Sequence, residues 1–352
     1  MTLKFARWIP FFAAVLTFAP AQAGSIKFDF RGDASSQSVN QDGLEAGVGR
    51  DHFRFLLQTA RMDFRGNLTD RTYFRSRVRL NDTSATRNQR DFATNMLEIA
   101  YVSMEASDHL RLSFGKVPTE IGGNEGQTST PDLYLTSILH QSTSVERFAT
   151  GVKLSADFEK ASLTLLSVNQ PSDAPAGATS STFEQNRTMW GALLKGQFSP
   201  LLQPQIGIYR APRQNGNSDR QDDYLNVGFK SEMDSWVLEY DFFNVSYVDR
   251  TVTKITDSLE THLVNFSYKW GAWTPRFKLD WTKEHLAEAS TVRDGEVFRQ
   301  DGYQFALEYQ PVEKKNYRYH VAYLYRERRP EATKAQIIQT ALIGLRINAD
   351  FL

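Results

Sequence analysis

The sequence predicts an all-β protein, a 16-stranded antiparallel transmembrane β-barrel with short periplasmic turns and long extracellular loops. Three observations carry this. Apolar and polar residues alternate with period two along most of the chain. The connections between alternating segments switch between short and long. Past the N-terminal leader no apolar run reaches the ~20 residues that a spanning helix needs. The 24 Phe, 14 Tyr and 6 Trp would supply interface girdles.

The leader, residues 1–23, reads as a signal peptide. Lys4 and Arg7 precede an apolar stretch, and Ala21-Gln22-Ala23 supplies a small-residue cleavage pattern. The barrel domain is then 24–352, and the destination is the bacterial outer membrane. The whole chain carries 41 basic and 41 acidic residues, so a nucleic-acid partner, which calls for a basic excess, is not expected. With no cysteine there is no thiolate nucleophile or thiolate metal site.

The strands follow in order. Strand one, 25–31, sets Ile26, Phe28 and Phe30 against Lys27, Asp29 and Arg31. Strand two, 52–66, has Phe53, Phe55 and Leu57 on one parity but Met62 and Phe64 on the other, which predicts a β-bulge near Gln58 or Thr59. Strands three to eight are read at 71–81, 94–104, 109–115, 147–157, 160–168 and 188–198. Strands nine to twelve are read at 203–211, 222–231, 235–246 and 259–270. Strand thirteen, 275–285, alternates Phe277, Leu279 and Trp281 with Lys278 and Asp280. Strand fourteen, 301–311, alternates Tyr303, Phe305 and Leu307 with Gln304 and Glu308. Strand fifteen, 316–326, puts Tyr317, Tyr319, Val321, Tyr323 and Tyr325 on one face. Strand sixteen, 336–351, alternates through Ile343, Leu345, Ile347, Ala349 and Phe351.

Short connections fall near 67–70, 105–108, 199–203, 232–234, 271–274 and 312–316. Long ones fall at 32–51, 82–93, 116–146, 169–187 and 286–300. An even strand number puts both ends at the short-turn rim. A soluble β-sandwich would also alternate. Large aromatics on the apolar faces and the absence of any linker favour the barrel.

Arg71, Arg75, Arg77 and Arg79 share one strand parity, with Phe74, Val78 and Leu80 on the other. On a helix they would scatter around the axis. An arginine facing lipid at mid-bilayer costs about 2–4 kcal/mol, so these point into the lumen. Arg61 and Arg65 of strand two join them, and Arg111, with Lys27, Arg31 and Arg346, extends the basic wall. Asp29, Asp63 and Glu98 are the available partners, too few to neutralise that side. The alternative is that the arginines only stiffen the wall.

The connection 116–146 carries Glu120, Glu125, Asp132 and Glu146 and no basic residue after Lys116. At about 30 residues it is longer than a plain turn. Either it folds into the lumen, with its acids opposite the arginines, or it is an ordinary surface loop. The inward reading makes Glu120, Glu125 and Asp132 constriction-loop acids and sets a transverse field across the lumen.

"ARMDFRGNLTDRTYFRSRVRLN", "LRLSFGKVPTEIGG" and "GYQFALEYQPVEKKNYRYHVAYLY" resemble bacterial outer-membrane porins, and among them the phosphate-selective porin O/P-like family. The resemblance implies a water-filled channel for small hydrophilic solutes, trimeric, set in outer-membrane lipid. "TALIGLRINADFL" is similar to the C-terminal signature that the outer-membrane assembly machinery reads, with Leu352 following the aromatic. The arginines are similar to the anion-guiding ladder of phosphate-selective members. The acidic loop departs from that pattern, so the resemblance implies anion preference and leaves phosphate specificity open.

Two other function classes remain. A barrel enzyme needs a nucleophile, a base and an orienting acid; His140 near Ser142 and Ser144 is the nearest approach, and no catalytic residue is assigned. A plugged structural or adhesive barrel would carry its function in polar loops such as 172–181. No metal ligand set or cofactor motif is present in the sequence.

Overall fold

The computed structural model describes residues 24–41, 52–81, 96–128, 132–137, 147–169, 188–215, 218–249, 254–286, 297–312, 317–330 and 335–351. The leader 1–23, Glu146 and the histidine–serine cluster at 140–144 lie outside the described residues.

Sixteen strands form one closed antiparallel barrel in which each pairs with its sequence neighbours and the last pairs with the first. They are β1 (Ser25–Gln41), β2 (His52–Thr69), β3 (Thr72–Arg79), β4 (Leu97–Ser107), β5 (Leu110–Pro118), β6 (Phe148–Asp157), β7 (Ala161–Asn169) and β8 (Thr188–Gly196). The second half is β9 (Gln203–Asn215), β10 (Ser218–Glu232), β11 (Trp236–Asp249), β12 (Lys254–Tyr268), β13 (Trp273–Leu286), β14 (Val297–Tyr309), β15 (Tyr317–Pro330) and β16 (Gln336–Asp350). Closure leaves no open sheet edge, which the bilayer interior requires of a sheet. Among the described residues one short helix, α1 (Gly123–Gln127), follows β5.

Several strands run longer than expected. The predicted loop at 32–51 is strand as far as Gln41, and β9 and β10 continue to Asn215 and Ser218. Their upper ends are rich in Ser, Gln and Asn, so hydropathy contrast is lost there while backbone pairing continues.

The expected bulge in β2 is present. Arg31 pairs with Thr59 and Gly32 with Leu57, leaving Gln58 as the extra residue. Below it Arg61 and Asp63 are buried in the lumen; above it Phe53 and Phe55 project outward, 69% and 80% exposed. Deleting Gln58 would make the alternation regular and leave Phe53, Phe55 and Leu57 outward and Arg54 inward in the same register with β1. Retention of the folded, heat-modifiable band on a gel is the expected outcome.

A second bulge was not anticipated. Arg77 pairs with Ile99 and Val78 with Leu97, so Glu98 is the extra residue of β4. Glu98 and Ile99 are consequently both buried. A regular strand would send one of them outward.

The outer surface is uneven. Among the described residues, outward Tyr and Trp side chains of the strands fall on β8 and β11–β15, as in Trp190, Tyr240, Trp281, Tyr303 and Tyr319. Tyr73, Tyr101, Tyr209, Tyr224 and Tyr247 take the inward parity. The lumen is uneven too. On β7–β12 inward positions are largely apolar, and Leu166, Met189, Leu193, Tyr209, Phe243 and Leu259 pack with Val117 and Ile121 into one buried cluster.

Candidate functional site

Five arginines gather on two carboxylates at β2–β4. Glu98 takes three: Arg61 Nη2 at 2.8 Å, Arg77 Nε at 2.9 Å and Arg79 Nε at 2.8 Å. Asp63 takes Arg75 Nη2 at 2.6 Å and Arg65 Nη2 at 3.0 Å. The local cause is parity: Arg61, Asp63 and Arg65 on β2 register directly opposite Arg79, Arg77 and Arg75 on β3. The group carries three more positive charges than negative ones. Arg77 also lies 4.9 Å from the Phe148 ring centroid.

Two of the expected wall residues stand apart. Arg71 lies exposed in the turn between β2 and β3, because the hairpin turns at Asp70–Arg71 and the strand starts one residue later. Arg111, the second residue of β5, sits at the periplasmic rim, 3.6 Å from Glu105 and 5.7 Å from the Tyr73 ring. Arg31 and Arg346 face the lumen but hold the loop described next. Arg31 binds Asp33 at 2.8 Å and the Leu133 carbonyl at 2.8 Å. Arg346 binds Asp132, and Asp29 at 3.3 Å.

The connection after β5 turns into the lumen. Glu120 (φ 59°), Gly122 (φ 104°) and Gly123 (φ 59°) occupy left-handed backbone, which bends the chain inward within four residues. Helix α1 then docks on β10 and β11. The Asp241 carboxylate accepts Asn124 N at 3.0 Å, Asn124 Nδ2 at 3.2 Å, Glu125 N at 3.4 Å and Gln205 Nε2 at 3.1 Å. Farther along, Leu135 N donates to Gln304 at 2.7 Å and Tyr134 donates to Glu308 at 2.9 Å. The loop thus crosses the barrel from β5 to the β14–β16–β1 side.

Its three described acids are anchors. Glu120 pairs with Lys153 and, at 3.2 Å, with Lys195. Glu125 pairs with Lys278 at 2.9 Å, and Asp132 pairs with Arg346 and with Arg318 at 3.5 Å. The expected acidic face opposite the arginines is therefore largely spent on other wall cations. Sequence alone could not show this, because the partners sit up to 214 positions away.

Burial pushes the Glu120 carboxyl up, but Lys153 and Lys195 outweigh burial and hold it below the ordinary glutamate range. Its contribution to docking is complete above the ordinary value of about 4.3. It is lost as pH falls through the depressed native value. Single-channel recordings are expected to gain gating noise below about pH 4, and E120Q should show that noise at neutral pH. Burial and the neighbouring Glu308 push the Tyr134 phenol up, so it donates as a neutral hydroxyl.

Between the arginines and the loop lies a cavity of about 440 Å³. Lys27, Arg61, Arg65, Arg75, Arg77, Arg147 and Lys195 line it against Asp29, Asp63 and Glu120. Seven cations face three carboxylates. Of the described loop acids, Glu120 is the one that lines this cavity.

A closed 16-stranded barrel with an inward-folded loop and a charged lumen defines a porin of the bacterial outer membrane. The chain belongs to the phosphate-selective porin O and P family, whose model matches residues 28–225. No curated protein matches it. Among solved structures it is similar to an anion-selective porin from Comamonas acidovorans, with a TM-score of 0.65 and 9% identity over 93% of this chain and 100% of that one. It is also similar to the outer-membrane-expressed OmpT of Vibrio cholerae, at 0.62 and 12% over 94% and 99%. The outer-membrane channel DcaP of Acinetobacter baumannii gives 0.59 and 13% over 91% and 96%. At these identities the likeness is one of fold.

Proposed function

We propose that this outer-membrane channel favours small anions, phosphate among them, and passes them by diffusion past the β2–β4 arginines. The observation that carries the reading is the excess of five arginines over two carboxylates at β2–β4, with four of those arginines and Asp63 lining the cavity. Fixed positive charge raises the local anion concentration and lowers that of cations. The phosphate selectivity that names the family and the anion selectivity of the Comamonas acidovorans porin agree with this chemistry. Purified protein in a planar bilayer under a KCl gradient is expected to give stepwise conductance and an anion-favouring reversal potential. Added phosphate should reduce chloride current. A reversal potential at zero would leave a general porin, and absent conductance would favour the plugged barrel.

The reading includes export by the leader 1–23, insertion by the outer-membrane assembly machinery, and a homotrimer. The missing outward Tyr and Trp on β1–β7 and β16 support a protein contact on that side, since such residues mark a lipid interface. The similar Vibrio cholerae OmpT has a trimer form. A channel in this family has no call for a catalytic group.

A further inference from the structure

We propose that the outer surface of β13–β15 binds the phosphorylated headgroup of an outer-leaflet lipid. The register aligns Lys283 with Arg299, and Arg299 with Arg329, in one cross-strand row. All three share the parity of the outward aromatics of their strands. Like charges directly opposite one another are unfavourable on a sheet, so the row calls for a counter-charge from outside it.

The height fits a headgroup. Tyr303 and Tyr325 pair in a row four residues nearer the membrane centre. With strand tilt the basic row stands about 10 Å above them, toward the extracellular rim. Tyr rings sit at the interface, so the guanidiniums fall at the level of lipid phosphates. Trp281 lies between the rows, with Lys283 Nζ 4.6 Å from its ring.

Donors remain for a ligand. Arg299 contacts Asp301 through Nε at 3.2 Å, and Arg329 contacts Glu327 through Nε at 2.6 Å. The Nη groups of both make no hydrogen bond or ion pair among the described residues, and their side chains are about half exposed. Arg210, also outward near this rim, differs. It spends Nε and Nη2 together on Asp223, at 2.7 and 3.0 Å. Two parallel N–H groups are the geometry that grips a phosphate.

The test is native mass spectrometry of detergent-purified, full-length protein titrated with diphosphoryl lipid A. R299Q/R329Q is expected to weaken binding at least about tenfold, and R210Q to leave it unchanged. D301N/E327Q removes the competing carboxylates and should tighten binding, which keeps the proposal testable if the arginine variant assembles poorly. Wild-type conductance in R299Q/R329Q would verify its fold. Equal binding by wild type, R299Q/R329Q and D301N/E327Q would overturn the proposal. An equal loss in R210Q would also overturn it, by showing diffuse attraction in place of a site.

Discussion

In the variant R75A/R77A/R79A the anion-favouring reversal potential is expected to collapse toward zero. The five-on-two cluster becomes Arg61 and Arg65 against Asp63 and Glu98, which is neutral. Each removed charge acts at about 6 Å, worth about 3 kcal/mol at an effective permittivity of 20 before screening. Water and salt in the lumen screen most of that. About 1 kcal/mol left for the three together is a factor of about 5 in permeability ratio. The complementary variant E98Q raises the positive excess and should move the reversal potential the other way. Single-channel currents in asymmetric KCl check both. An unchanged potential in both variants would assign the arginines to bracing the wall.

Asp241→Ala is expected to free the inward loop. Asp241 is buried and accepts the backbone N–H groups of Asn124 and Glu125 at the start of α1, together with the side-chain amides of Asn124 and Gln205. An unsatisfied buried donor costs about 1–3 kcal/mol. The backbone donors of α1 can escape that cost by leaving with the loop, so the loss falls on docking and the barrel persists. A penalty of about 3 kcal/mol shifts the docked-to-free ratio more than a hundredfold. Conductance and current noise should both rise, while heat-modifiable migration stays that of a closed barrel. Gly123→Ala tests the same latch independently. Its Cβ would lie 2.2 Å from Asp241 Oδ1, on a backbone at φ 59°. D241N keeps one acceptor oxygen and should fall between wild type and D241A. Wild-type conductance and noise in both D241A and G123A would show that other contacts hold the loop.

Much of the barrel was legible in particular residues. Tyr317 to Tyr325 alternate so regularly that β15 could be read directly, and the parity slip between Leu57 and Ala60 located the Gln58 bulge. The upper parts of β1, β9 and β10 were not legible, because Ser, Gln and Asn leave no contrast between faces. The arginine face of β3 was visible from Arg75, Arg77 and Arg79. Arg71 shares their parity, yet parity does not say where a hairpin turns.

The sequence by itself determined sixteen alternating segments, one bulge and a strand face crowded with arginine, because period two follows from backbone geometry alone. The tertiary structure decided the rest. It placed Glu98 at a bulge that aims it at three arginines. It set apolar residues of β7–β12 toward the lumen, where the inserted loop covers them. It assigned Glu120, Glu125 and Asp132 to cations on β6, β8, β13, β15 and β16. Alternation marks two faces of a strand without saying what each will meet. That depends on closure of the barrel and on a loop crossing it, which bring together charges far apart in the chain.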